Sequence, residues 1–254
     1  MEGDSIIDAI NDSITPYPRP AVFISGGLDS TILLHHLAEK VDGPLHTFTH
    51  YWGTEEDETD QAREVSELYG TIHHEVKIEN ILESYRKIIR MIGKPHIYAF
   101  YWQFLYAKVQ DVGCKTVYVG EGLDEHFGGY WYKPELTPQE YWSGVSEYAI
   151  PTHQFMAVIY HLHLQIPFVK LPLEITLPFY DWKHRNKTAL RKLYTGILPD
   201  CVINYKKHPG RTPWLKIWDT EISPHILAPI PKTRIQAQGI IERWVIDEWS
   251  KSQS

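Results

Sequence analysis

The stretch Ala21-Val22-Phe23-Ile24-Ser25-Gly26-Gly27-Leu28-Asp29-Ser30 indicates the fold class of this chain. Its first four residues form a continuous apolar run, which is typical of a strand buried on both faces of a parallel sheet. The run stops at Ser25-Gly26-Gly27, and a helical pattern follows from Asp29 to Lys40. A strand that passes through glycines directly into a helix presents backbone N–H groups to an anion. The stretch therefore predicts a phosphate-binding loop.

Strands and helices alternate along the first half of the chain. Apolar or alternating runs predict further strands at residues 45–49, 71–78 and 115–119. Helical patterns cover residues 29–40, 54–70, 80–92 and 97–112. Because this alternation is typical of a parallel sheet covered by helices, we expect an α/β fold.

Prolines suggest how the chain is divided. Pro16, Pro18 and Pro20 precede the first strand, so we expect residues 1–20 to form an N-terminal arm. Residues 21–134 are predicted to form the α/β core. Beyond residue 134, proline-interrupted helices predict a helical part over residues 135–254 that completes the active site. Its last helix, residues 236–249, is expected to cover either the sheet or a neighbouring subunit.

A second glycine-rich segment follows the strand that ends at Val119. It reads Gly120-Glu121-Gly122-Leu123-Asp124-Glu125 and places three carboxylates after a parallel strand, where open α/β sheets bind their ligands. Clustered carboxylates repel one another unless a cation lies among them. In the first loop, Asp29 would likewise repel a phosphate, so we assign Asp29 to a magnesium ion.

Composition narrows the possible partners and compartment. The chain has 254 residues and a formal net charge of −7, which disfavours a broad nucleic-acid footprint, although residues 183–207 contain a local basic patch. We expect no membrane span, because no apolar run approaches the roughly 18 residues that a span requires. Cys114 and Cys201 are isolated, so neither a disulfide framework nor a cysteine metal site is expected. We expect a cytoplasmic protein.

The first loop resembles that of the PP-loop, or N-type ATP pyrophosphatase, proteins. Together, the two motifs strongly resemble the synthetase domain of asparagine synthetases and β-lactam synthetases, which carry S-G-G-x-D-S and G-E-G-x-D-E-x-F-G-G-Y. Further matching segments cover residues 62–65, 69–75, 177–181, 187–191 and 198–199. The resemblance extends over roughly residues 21–213. It implies a Rossmann-like α/β fold and an ATP-dependent ligase that forms an acyl-adenylate and then an amide.

The resemblance also implies roles for individual residues. Asp29 and Asp124 would bind Mg²⁺, and Glu121 would be the acidic residue beside the reacting carbonyl. A late catalytic lysine would be Lys207, with Lys206 as the fallback. The residues expected around ATP are Ser25, Gly26, Gly27, Leu28, Asp29, Ser30, Thr49 and Gly120.

Some positions depart from the family pattern. The arginine before P-F-L-D is replaced within Ile175-Thr176-Leu177, and the arginine of the late R-x-K motif is Tyr205. These replacements leave open whether the substrate carboxylate is free aspartate. A glutaminase domain is not seen in the sequence, so we expect the amine to come from ammonia, from the substrate or from a glutaminase partner subunit.

Two other functions stay open. One is a nucleobase- or tRNA-modifying PP-loop enzyme that adenylates a carbonyl or carboxylate on nucleic acid; its sulfur-transferring version would need a reactive cysteine. The other is a nucleotide-binding subunit without turnover. Oligomeric state also stays open.

Two side-chain patterns allow more than one interpretation. The aromatic-rich run at residues 97–104 is interpreted as part of the core. Stacking of these aromatic rings on a flat substrate is the alternative. Adjacent histidines on a helix point about 100° apart, so we do not expect His35-His36 or His73-His74 to bind zinc. We do not expect zinc at His161 and His163 either.

Overall fold

A parallel sheet forms the centre of the protein in its computed structural model. The structure describes residues 2–53, 57, 59–92, 101–130, 137–184, 186–205, 215, 218–219 and 231–252. Five strands lie in the order β3-β2-β1-β4-β5, and each neighbouring pair is parallel. The strands are β1 (Pro20–Phe23), β2 (His46–Tyr51), β3 (Ile72–Lys77), β4 (Thr116–Tyr118) and β5 (His163–Gln165). This arrangement confirms the predicted α/β fold with a parallel sheet.

Helices precede, connect and follow these strands. The α-helices are α1 (Glu2–Ser13), α2 (Leu28–Ala38), α3 (Thr59–Leu68), α4 (Ile81–Ile92), α5 (Trp102–Asp111), α6 (Leu123–Phe127), α7 (Pro138–Gly144), α8 (Ile150–Ile159), α9 (Leu173–Thr176), α10 (Thr188–Leu193), α11 (Asp200–Ile203) and α12 (Arg234–Ser252). A π-helical segment, Val145–Ala149, joins α7 to α8, and two 3₁₀ turns cover Pro167–Lys170 and Leu177–Phe179. None of the helices that the structure describes combines the length and apolar character needed to cross a membrane.

Strand β1 is the central strand and is buried along its whole length. Its side chains alternate between the two faces of the sheet, as expected for an extended strand. Ala21 and Phe23 join one core cluster, and Val22 joins the other. Burial on both faces explains why this segment is a continuous apolar run.

Strand β5 was not predicted. Residues 163–165 lie in the part of the chain for which only helices were expected, yet they pair with residues 116–118 of β4. The reason is that this edge strand has only three residues and begins with the exposed His163, so it lacks a buried apolar run. The sheet therefore continues beyond residue 134.

The two ends of the described chain pack onto the core. Residues 2–13, expected to be an arm, form helix α1, whose Ile6 and Ile10 are buried. At the other end, Ile241 and Trp244 of α12 belong to the same core cluster as Tyr85 of α4. The last helix therefore covers the core of its own chain.

The aromatic segment before β4 also packs inward where it is described. Trp102 stacks on Phe23 with ring centroids 5.7 Å apart, and Tyr106 is buried. This contact supports core packing for these residues. The earlier part of the segment, residues 97–100, lies outside the described residues.

Candidate active site

Both glycine-rich segments lie at the end of the sheet where the parallel strands have their carboxyl termini. Because β1 and β4 are parallel neighbours, the loops that follow them leave the sheet side by side. Gly120 lies so close to the first loop that a Cβ atom placed on it would be 3.4 Å from the backbone nitrogen of Ser30. The structure therefore brings the two predicted motifs together.

The first loop folds back on itself through its serines. Ser30 Oγ donates to the Gly27 carbonyl at 3.2 Å and accepts from the Ser25 backbone nitrogen at 3.2 Å. Gly27 occupies the N-cap position of α2 and has no side chain with which to cap the first turn. The helix N-terminus thus faces the loop without a capping side chain, which favours an anion there. Ser25 is exposed beside it.

Gly26 is required by the conformation of this loop. Its φ angle is +73°, a region that L-residues seldom adopt. A Cβ atom on Gly26 would also lie 2.6 Å from the carbonyl carbon of Gln61 in α3. The Gln61 side-chain amide donates to the Gly26 carbonyl at 3.4 Å and to the Cys201 carbonyl at 3.3 Å. The loop is therefore held between α3 and α11.

Lys187 joins the two motifs. Its ammonium nitrogen lies 2.6 and 2.7 Å from the two carboxylate oxygens of Asp29 and 2.5 Å from Oδ1 of Asp124. Lys187 is only 2% exposed, and buried lysines are nearly always paired. Two carboxylates that converge on one ammonium can also converge on a divalent cation, and carboxylate oxygens are the ligands that Mg²⁺ prefers.

A compact turn directs Lys187 into this position. The carboxylate of Asp181 accepts hydrogen bonds from the backbone nitrogens of His184, Asn186 and Thr188. Burial alone would raise the pKa of Asp181, but these bonds and the Thr188 hydroxyl lower it to about 2. Lys187 itself has a φ of 54°, which is unusual for a residue with a side chain.

The turn is also attached to the second motif. The backbone nitrogen of Lys187 donates to the Gly128 carbonyl at 3.2 Å, and that of Asp181 donates to the Phe127 carbonyl at 3.1 Å. Residues far apart in sequence are therefore fixed relative to each other by backbone contacts. The lysine reaches the carboxylates because its backbone is fixed in this way.

Asp124 lies against a tight glycine turn. The backbone nitrogens of Gly128 and Gly129 both donate to the Asp124 carbonyl, at 3.0 and 2.9 Å. A Cβ atom on Gly129 would overlap the Asp124 carboxylate, so the site requires glycine there. The neighbouring Glu125 is buried and accepts a hydrogen bond from the Tyr130 hydroxyl. Burial, and then the charge of Asp124, raise the pKa of Glu125 to about 8.

Glu121 is partly exposed and faces a buried histidine. Its carboxylate oxygen Oε1 lies 3.6 Å from Nε2 of His153, a residue of α8. The other ring nitrogen of His153 lies 3.0 Å from the Tyr106 hydroxyl. Nε2 has no hydrogen-bond partner within the part of the chain that the structure describes. His153 was not predicted as a site residue, because no motif contains it.

Four further residues were predicted to belong to the site, namely Leu28, Thr49, Lys206 and Lys207. Leu28 begins α2, but its side chain is buried in the core, so only its backbone faces the loop. Thr49 is buried on β2, next to Phe48, whose carbonyl accepts from the Ile24 nitrogen at 2.9 Å. Lys206 and Lys207 lie outside the described residues.

The chain before Lys206 is nevertheless described, up to Tyr205. Arg191 donates to the carbonyl of Ile203 at 2.6 Å and to that of Asn186 at 3.1 Å. It therefore ties the end of α11 to the turn that carries Lys187. Through Gln61, residue 201 is also tied to the first loop.

The family model that matches this chain covers both glycine-rich segments. The asparagine synthase family model matches residues 4–167. The glutamine-hydrolyzing asparagine synthetase of Asparagus officinalis is 33% identical over 127 residues, which are 44% of this chain and 21% of that protein. The glutamine-hydrolyzing asparagine synthetase 2 of Oryza sativa subsp. japonica is 36% identical over 126 residues, with the same two shares. The chain thus spans about a fifth of the length of the curated relatives it matches.

A solved structure is also similar in part. The NMN synthetase of Francisella tularensis has a TM-score of 0.37 and 14% sequence identity, covering 83% of this chain and 98% of that one. The family assignment rests on the family model instead, which matches well over half of the chain. This protein belongs to the asparagine synthase family.

Proposed function

We propose that the protein is an ATP-dependent ligase that adenylates a substrate carboxylate and then forms an amide with ammonia or another amine. The observation that carries this proposal is the convergence of Asp29 and Asp124 on the Lys187 ammonium, beside the N-terminus of α2. Two carboxylates that can hold Mg²⁺, an adjacent ammonium and an anion-binding helix end are groups that stabilise a departing pyrophosphate.

In the first step, an oxygen of the substrate carboxylate attacks the α-phosphorus of ATP. The bond from that phosphorus to the bridging oxygen breaks, and pyrophosphate leaves with the bonding electrons. Ser25, Ser30 and the backbone of the first loop would bind the pyrophosphate, and Lys187 would neutralise part of its charge. Asp29 and Asp124 would hold Mg²⁺, which neutralises developing phosphate charge when it is bound.

In the second step, the amine nitrogen attacks the acyl carbon and AMP leaves. The nitrogen must lose a proton as the amide forms, and we assign the role of proton acceptor to Glu121. Its partial exposure at the sheet edge leaves it accessible to substrate. His153, 3.6 Å behind it, would fix the orientation of the carboxylate.

Lys207, with Lys206 as the fallback, is proposed to stabilise charge on the α-phosphate. This proposal rests on the family motif and on the described contacts that tie residues 201–203 to the first loop and to Arg191. The same register places Tyr205 where the family has arginine, which supports a carboxylate other than free aspartate.

The sulfur-transferring alternative has less support. Cys114 is buried two residues before β4, and burial raises the pKa of its thiol to about 11. Burial also raises the pKa of Cys201. A thiol with a raised pKa is a poor nucleophile near neutral pH.

Pyrophosphate release from Mg-ATP, measured with a panel of carboxylates, tests the proposal. We expect release to depend on at least one carboxylate and to be lost in Asp29→Asn and Asp124→Asn. Asp42→Asn, the same chemical change at an exposed position in the loop between α2 and β2, serves as the matched control and should retain release. Carboxylate-dependent release that survives both site substitutions would sink the assignment of the two aspartates.

A further inference from the structure

A second cluster of metal-binding side chains lies at the opposite end of α2 from the phosphate loop. It consists of His35, His36 and Glu39. Nε2 of His35 lies 3.7 Å from one oxygen of Glu39, and Nδ1 of His36 lies 3.7 Å from the other. One potential ligand atom from each residue lies within 4.8 Å of the others.

This geometry differs from the expectation for adjacent histidines. The two residues point about 100° apart around the helix, but their rings meet edge to face with centroids 5.0 Å apart. Glu39 is four residues after His35 and three after His36, so its carboxylate lies near both rings. Side chains at these spacings share one helix face. The third ligand, rather than the histidine pair alone, creates the cluster.

His36 supplies an independent observation. It is 4% exposed, and its Nδ1 atom has no hydrogen-bond partner among the described residues. Buried polar atoms in proteins are nearly always hydrogen-bonded or ligated, so an unsatisfied nitrogen that faces a carboxylate marks a binding position.

The far nitrogens of both rings are held in place. Nε2 of His36 lies 2.7 Å from the Tyr194 hydroxyl, and Nδ1 of His35 lies 3.2 Å from the Tyr69 hydroxyl. Metal-binding histidines usually donate their second ring N–H to such an oxygen, which fixes the tautomer and the ring orientation. Both rings can therefore present an unprotonated nitrogen toward Glu39.

We propose that His35, His36 and Glu39 form a binding site for Zn²⁺ or a similar divalent transition metal. Two imidazoles and one carboxylate, with a fourth position open to water, are a common zinc ligand set. Ligands on a tetrahedral zinc lie about 3.3 Å apart. The two 3.7 Å distances from the ring nitrogens to the Glu39 oxygens are close to this value. Glu39 is 60% exposed and can move to complete the cluster.

The site is distinct from the proposed magnesium site. Imidazole nitrogen favours zinc, copper or nickel, whereas magnesium favours oxygen ligands. The position at the C-terminal end of α2 also favours a cation, because the helix dipole is negative there. The proposal does not depend on the ligase reaction.

Zinc binding to the full chain, without an affinity tag and after chelator treatment, tests the proposal. A chromophoric chelator competes for Zn²⁺ in a buffer that contains Mg²⁺, and the protein's affinity follows from the competition. We expect one Zn²⁺ per chain. Glu39→Gln and His35→Asn should each weaken binding by roughly tenfold or more, because each removes a ligand.

His161→Asn is the matched control. His161 is exposed and has a φ of 52°, a conformation that asparagine tolerates well, so the substitution should leave both fold and zinc affinity unchanged. Tyr194→Phe removes the acceptor for His36 Nε2 and should weaken binding by roughly tenfold. Far-UV circular dichroism checks that every variant is folded.

The spectrum of bound Co²⁺ provides a second measurement. A His₂Glu site should give visible absorption bands in the parent chain and in His161→Asn, and the bands should be lost in Glu39→Gln. Equal zinc affinity in the parent, Glu39→Gln and His35→Asn would overturn the proposal. So would failure of the parent chain to bind one equivalent of Zn²⁺ at micromolar concentration.

Discussion

Replacing Lys187 with methionine separates the roles of its charge and its packing. Methionine keeps most of the volume of the side chain but removes the ammonium that lies between the carboxylates of Asp29 and Asp124. Breaking one partner of a buried ion pair costs about 3–5 kcal/mol. These carboxylates retain 18% and 13% of their side-chain exposure, so we expect a cost at the lower end, about 3 kcal/mol.

Urea unfolding with and without Mg²⁺ measures this cost. In Lys187→Met the carboxylates no longer have the ammonium, so Mg²⁺ should raise the free energy of unfolding more than it does in the parent chain. Pyrophosphate release should fall by about 10²–10³-fold, because a positive charge beside the leaving group is lost.

Lys192→Met is the matched control. Lys192 is exposed on α10, only a short distance along the chain, and its replacement should change neither stability nor release. If Lys187→Met unfolds at the same urea concentration as Lys192→Met and releases pyrophosphate at the same rate, Lys187 has neither of these roles.

Three further outcomes follow from the site. Gly26→Ala should abolish ATP binding and lower the thermal midpoint, because a Cβ atom there meets α3; unchanged nucleotide affinity in a fluorescence titration would contradict this. The folded-state pKa of Asp181 is about 2, which is below the unfolded value. Its carboxylate therefore contributes on the order of 2 kcal/mol to the free energy of unfolding above pH 4, and this contribution is lost as the pH falls toward 2. The free energy of unfolding of Asp181→Asn should therefore lack this acid dependence. The same pH profile in the variant and the parent chain would contradict this role of Asp181. Glu121→Gln should reduce amide formation by roughly 10²-fold or more, and should reduce pyrophosphate release much less. Equal losses in the two assays would remove Glu121 from the second step.

The first loop was predictable because its signals are local. An apolar run, two glycines and a helical pattern lie within about ten residues, and no distant contact is needed to interpret them. The second motif was predictable for the same reason. The proximity of the two loops followed from the general rule that the carboxyl ends of parallel strands lie on the same side of a sheet.

Lys187 could not be placed from local pattern, because its burial depends on contacts across the chain. In sequence it ends a charged run, Lys183 to Lys187, which is typical of a solvated surface. It is buried because its backbone pairs with Gly128 and its ammonium pairs with Asp29, 158 residues away. The K-x-x-L-R match at residues 187–191 was the available signal.

Strand β5 and His153 were missed for related reasons. Three residues at a sheet edge carry too little hydrophobic pattern to predict a strand, and pairing with β4 determines their conformation. His153 belongs to an apolar helix, where a lone histidine is more often a core residue than a functional one. Its relation to Glu121 exists only in the folded chain.

The path of oxygen during the reaction tests the central claim most directly. The carboxylate that supports pyrophosphate release is supplied with a heavy-oxygen label, together with Mg-ATP and ammonia, and the products are analysed by mass spectrometry. Attack of the carboxylate on the α-phosphorus predicts one labelled oxygen in AMP and none in pyrophosphate. Unlabelled AMP, or label in a phosphate released together with ADP, would contradict the proposed adenylation at the site formed by the two loops.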